Sequence, residues 1–164
     1  YAYTAKSTEL SEADITARAD KALADVAEYC KMGGLVGARA NFIAAEVSFE
    51  KKDYSSALAA YIAAMENGRN FYFAPICSLN AGVCSEELGN KEDAFKYYTA
   101  AAETKDYYLS SHALFSAARV QESMGNLEKA VEIYKKTVES YSNDVWANLS
   151  QSRIIDLQSK GKID

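Results

Sequence analysis

A phrase of four residues returns three times along this chain, and no other feature limits its fold so tightly. A small residue is followed twelve positions later by Ala, four later by Tyr, and three later by a small residue again. The copies are Ala45–Ala57–Tyr61–Ala64, Gly82–Ala94–Tyr98–Ala101 and Ala118–Ala130–Tyr134–Thr137, with central alanines 37 and 36 residues apart. A turn precedes each alanine: Lys52-Asp53, Gly89-Asn90 and Gly125-Asn126. Self-similarity at this period means stacked helical hairpins, each too small to bury its apolar face alone. Such stacks mostly bind other molecules rather than transform them.

The spacing gives the small residues a physical task. The first helix of each hairpin approaches the second closely, so Gly82 faces Ala94 and a large side chain at either place forces the helices apart. Each Tyr fills the space beyond, with its hydroxyl open to a partner or water. Helices are predicted near 36–51 and 54–68, 75–88 and 91–104, and 111–124 and 127–141. Pro75 sits where a helix begins, the turn that tolerates a missing N–H, and Ser110 or Ser111 can cap the helix after it. Ser11-Glu12-Ala13-Asp14 has the form of a capping box, and Ile15, Ala19, Ala22, Val26 and Tyr29 or Cys30 make one apolar stripe up to Gly33-Gly34. Residues 1–10 thus read as a disordered or irregular lead-in, and 11–164 as a single domain. That domain comprises a cap helix over 11–34, repeats at about 38–74, 75–110 and 111–144, and a closing cap helix over 145–160.

Composition narrows the function. A net charge of −5 over 164 residues argues against a nucleic-acid footprint, which needs a basic face. No apolar run is long enough to span a membrane. Cys30, Cys77 and Cys84 show no metal-ligand spacing. Cys77 and Cys84 lie two turns apart on one helix, about 10 Å by rise per residue, too far for a disulfide. His112 is the only histidine, so any Ser-His-Asp or Cys-His device would need it. Gly33-Gly34-Leu35-Val36-Gly37 lacks the Gly-Lys-Ser/Thr ending of a phosphate loop. The expectation is therefore no catalytic residue, no metal and no cofactor.

The repeated phrase resembles the tetratricopeptide repeat family over about 38–142 in three repeats, with Trp146 to Ser150 as the start of a fourth first helix. The resemblance implies an all-α, right-handed α-solenoid of helical hairpins with N- and C-terminal capping helices. Departures are visible. Arg69, Asp106 and Ser142 stand for the family's repeat-end Pro, and Ala44, Ala81 and Ala117 for its first-helix Leu, which only Leu149 matches. The family period is about 34, so the longer spacers here leave room for helices extended through Asn70-Phe71-Tyr72-Phe73 and Tyr107-Tyr108.

The resemblance also implies a concave groove lined by the first helices. Carried onto this chain, its partner-binding residues are Phe42, Ile43, Glu46, Leu79, Asn80, Val83, His112, Phe115 and Arg119. Phe42 and Glu46 stand where the family's carboxylate clamp needs Lys and Asn, which excludes a chaperone-tail clamp. Phe42, Ile43, Leu79, Val83 and Phe115 form an apolar lining instead. The cap helix could fill that lining, or it could be inter-repeat core, or it could meet a partner or a second copy. Arg119 is expected to pair with Glu122 or Glu86. The leading reading is a non-enzymatic scaffold or adaptor that binds a protein or peptide segment in the groove. The alternatives are a self-associating, homo-oligomeric module and a carrier of a small apolar ligand. No nucleic acid and no membrane insertion by these residues are expected. The stretch Trp146 to Leu157 is similar to the closing helix of bacterial envelope proteins of this kind, which implies a periplasmic or membrane-anchored place behind an upstream anchor, with the cytoplasm as the alternative.

Overall fold

The computed structural model describes residues 11–69 and 71–163. The expected lead-in 1–10 and Asn70 lie outside the described residues. Among those described there are eight α-helices and no strand: α1 (Glu12–Cys30), α2 (Gly34–Glu50), α3 (Tyr54–Asn67), α4 (Ala74–Glu87), α5 (Lys91–Ala102), α6 (Ser110–Ser123), α7 (Leu127–Ser140) and α8 (Val145–Ser159). Each helix packs on the next in sequence, and α6 also touches α8. This is the all-α stack of hairpins that the repeat requires.

The three hairpins α2–α3, α4–α5 and α6–α7 turn at one equivalent residue in the left-handed region: Lys52 (φ 59°), Gly89 (φ 78°) and Gly125 (φ 83°). Glycine adopts that conformation without steric cost; Lys52 does so under mild strain. Past each turn the repeated phrase is the core. Ala57, Tyr61 and Ala64, then Ala94, Tyr98 and Ala101, then Ala130, Tyr134 and Thr137 are all buried. Gly82 lies directly against its own repeat tyrosine: a Cβ there would stand 2.6 Å from two ring carbons of Tyr98.

Capping follows the sequence at the first helix and departs from it at the sixth. Ser11 and Asp14 bond each other's backbone N–H in a capping box at the start of α1. Neither Ser110 nor Ser111 caps α6. Ser110 Oγ donates to the Tyr107 carbonyl at 2.7 Å, and Ser111 Oγ donates to Asp144 at 3.0 Å, the residue that caps α8 through the Trp146 N–H. The spacer helices do not extend either: α3 stops at Asn67 and α5 at Ala102. Asp106, at φ 57°, breaks any helical continuation in the second loop.

α1 packs on α2 and makes no comparable contact with α4 or α6, so it does not fill the face that the first helices share. No residue of α1 is fully buried. Asn41 of α2 joins the two helices by donating to the carbonyls of Cys30 (3.0 Å) and Gly37 (2.8 Å). At the other end the register differs from the motif reading. Leu149 is 43% exposed, whereas Ala147, Ser150, Ile154 and Leu157 face the core. The matching of Leu149 to the family's packed Leu therefore fails in space.

Candidate interaction face

Each repeat tyrosine donates its hydroxyl to a glutamate on its own first helix. Tyr98 donates to Glu86 at 2.6 Å, Tyr134 to Glu122 at 3.2 Å, and Tyr61 to Glu46. The first helix of the following unit then grips that carboxylate. Arg119 of α6 holds Glu86 through two hydrogen bonds of 2.8 and 2.5 Å. Arg153 of α8 holds Glu122 with Nε at 2.8 Å and with its Nη2, and also reaches Asp156 at 2.5 Å. Asn80 of α4 donates to Glu46 at 3.2 Å and to the Tyr61 hydroxyl at 3.1 Å. A tyrosine, a carboxylate and a donor from the next repeat thus close all three junctions. Charge-assisted, bidentate geometry makes the arginine pairs the stronger links.

Burial and then the adjoining carboxylate push the Tyr98 hydroxyl well above the usual tyrosine range, so it stays a donor. The Arg153 hydrogen bonds pull Glu122 below the usual carboxylate range. Burial first, and Arg119 second, hold His112 below the usual histidine range, which favours a neutral ring.

Two clefts open beside these junctions. One, of about 370 Å³, lies between α4 and α6 and is bordered by Val83, Glu87, His112, Ser116 and Arg119, with Tyr98 beneath. The other, of about 310 Å³, lies between α6 and α8 against Phe115, Arg119, Tyr134 and Arg153. Arg119 borders both.

The nine residues expected in the groove are placed in different ways. Leu79 is 4% exposed, packed with Tyr98, Ala101 and Tyr107, and so cannot meet a partner. Its expected place in the apolar lining is not open to solvent: α4 turns that position into the core cluster that residues of α5 and α6 complete. Glu46, Asn80 and Arg119 are engaged in the repeat junctions, Arg119 with Glu86, one of its two expected partners. Phe42 is half-buried, its ring 6.3 Å from Tyr61 and 5.6 Å from Phe73. Val83, His112 and Phe115 border the clefts, and Ile43 is 46% exposed on α2.

Trp146 is the residue of this face that the motif reading left out. It stacks on His112 with centroids 4.0 Å apart and 13° between planes, and meets Phe115 at 5.3 Å. The glutamates carried a signal of their own: Glu86 and Glu122 each stand twelve residues before the repeat tyrosine. Phe49 holds that place in the first repeat, so Glu46 substitutes from one turn earlier. No group of three or more metal-ligating side chains occurs among the described residues. No helix among them is long and apolar enough to cross a membrane.

Comparison with known proteins bears on this arrangement. Two tetratricopeptide repeat profiles match, one over residues 53–108 and one over 112–144. The chain is 31% identical over 128 residues to a TPR repeat-containing protein of Treponema pallidum (strain Nichols), which covers 78% of this chain. The chain spans about half of that relative, 54% of its length.

Proposed function

The chain belongs to the tetratricopeptide repeat family, and we propose that it is a non-enzymatic scaffold docking a partner segment across its first helices. Repeats of this family mediate protein–protein interaction. The observation that carries the reading is the pair of adjoining clefts that share Arg119. Their walls are the half-buried Val83, His112 and Phe115, and their rim carries Glu87 and the outer edge of Arg119. The second cleft is the apolar one, around Phe115, and the first is mostly polar, so together they offer the mixed surface of a binding interface. A helix or extended segment laid there covers Val83 and Phe115 and reaches Ile43 at the α2 end.

The same face argues against catalysis. Its histidine lies flat on Trp146 and makes no hydrogen bond to a nucleophile among the described residues. The junction carboxylates already accept from Tyr and Arg or Asn.

The test is a photo-crosslinking amino acid at Val83, with the exposed Lys135 of α7 as the control position, in the native cells. The expected result is a discrete heteromeric product from position 83 that is absent from 135. Equal products from both positions would refute the docking face. A product of twice the chain's mass would replace the scaffold with a self-associating module. A small molecule retained in native mass spectrometry would replace it with a carrier.

A further inference from the structure

The loops joining one hairpin to the next carry the same short phrase 36 residues apart. A cation, an Asx residue, two aromatics, an apolar residue and a small residue recur over 69–74 and 105–110. Repeat stacking uses the first aromatic of each pair: Phe71 packs against the first core cluster and Tyr107 lies within the second. It does not use the second. Tyr72 and Tyr108 are 77% and 74% exposed. Each leans edge-on against its neighbour, Tyr72 on Phe73 at 5.5 Å and Tyr108 on Tyr107 at 5.4 Å.

Both exposed rings border one cleft of about 610 Å³, with Met65, Pro75 and Ile76 among its apolar walls. It shares no residue with the clefts of the first-helix face. Arg69 and Lys105 stand on its border at equivalent places in the two loops, and the described residues give neither of them an ion pair. Asp106 is the acid of this lining, so the cleft keeps an excess of positive charge on a chain whose net charge is −5.

The two aliphatic hydroxyls of the cleft are already engaged. Ser78 Oγ donates to the Tyr97 carbonyl at 2.8 Å, and Thr104 Oγ1 to the Ala100 carbonyl at 3.2 Å. Tyr107 is 8% exposed and its hydroxyl has no partner among the described residues. A ligand here is held by ring faces and by charge, not by a ladder of backbone bonds. Polyproline II segments meet that condition: their backbone needs no ladder partner, their prolines lie flat on aromatic rings, and little ordering entropy is lost. The free cations add a demand for a carboxylate.

We propose that the Tyr72–Tyr108 cleft binds a proline-rich segment bearing an acidic side chain, at a site separate from the first-helix face. The probe is a fluorescein-labelled peptide with the repeating sequence Pro-Pro-Glu, followed by fluorescence anisotropy. Saturable binding is expected, weakening as salt is raised. Tyr72→Ser with Tyr108→Ser lowers affinity about tenfold or more, the effect of removing central aromatic contacts. Arg69→Glu with Lys105→Glu lowers it several-fold. All four side chains are exposed, and far-UV circular dichroism checks that each variant stays folded. Absence of saturable binding overturns the proposal, as does binding that the tyrosine pair does not alter. Equal affinity for a Pro-Pro-Gln peptide overturns the acidic requirement, and equal affinity for an Ala-Ala-Glu peptide overturns the polyproline one. The crosslinking outcome at Val83 is independent of all of these results.

Discussion

Gly82→Ala sets packing against pattern, because the two forecast opposite signs. The other repeats carry Ala at this place, Ala45 and Ala118. Gly inside a helix is about 1 kcal/mol worse than Ala, so propensity forecasts a gain. The geometry forecasts a loss. The new methyl would stand 2.6 Å from Cδ1 and Cε1 of Tyr98 and 3.0 Å from its Cζ. That is about 1 Å inside ordinary carbon–carbon contact. The ring has little room to retreat: it is buried, its hydroxyl is bonded to Glu86, and Arg119 holds Glu86 from the next repeat. Overpacking of a well-filled core costs about 1–3 kcal/mol. Offset by the propensity gain, the net loss is about 1 kcal/mol and at most about 2. For a chain of this size that lowers Tm by about 2–4 °C per kcal/mol. Urea denaturation followed by far-UV circular dichroism should show a lower midpoint at an unchanged slope. A higher midpoint would refute the packing argument. In a Tyr98→Phe background the tether to Glu86 is gone and the ring can slide, so the penalty of Gly82→Ala should shrink by about 0.5 kcal/mol or more. An equal penalty in both backgrounds would refute the tether.

Two further outcomes follow from the same face and core. Unfolded, His112 titrates near the ordinary value of about 6.5, whereas the fold holds it lower; as pH falls below that value the unfolded chain takes up a proton the fold resists, so stability drops between neutral and mildly acid pH. His112→Gln loses the Trp146 stack and should shift the whole stability curve down while flattening its slope in that window; an unchanged slope would remove His112 as its source. Burial pushes the Cys77 thiol up to about 12 and the Cys84 thiol up to about 11, and both are buried. A thiol reagent should therefore label Cys30 alone in the native protein and all three cysteines after denaturation; labelling of Cys77 ahead of unfolding would show an open core.

The helices were legible because their evidence is local. Small residue, Ala, Tyr and small residue recur at fixed spacing, and each copy folds onto itself across a turn whose left-handed residue is Lys52, Gly89 or Gly125. The face was less legible because its evidence lies one repeat away. Whether a first-helix position meets solvent depends on how the next repeat is seated, and residues of that next repeat fix the seating. The family resemblance puts Leu79 in the lining, but in space it lies in the core cluster that residues of α5 and α6 complete. Arg119 carries both readings in the sequence, groove residue and ion-pair partner, and in space its charge is directed at Glu86. The closing helix shows the same dependence. Arg153 stands 34 residues after Arg119 and grips Glu122 as Arg119 grips Glu86. The junction thus keeps a 34-residue register, while counting from the Trp146–Leu149 motif places α8 two positions away. The first junction shows that the role survives a change of residue. With Phe49 in the glutamate's place, Glu46 and Asn80 close it without an arginine. Polar groups on this face therefore carry two meanings in sequence, stacking and recognition, and only the contact across the junction separates them. By that criterion Glu46, Asn80 and Arg119 serve the stack first, and Val83, His112 and Phe115 are left to meet a partner.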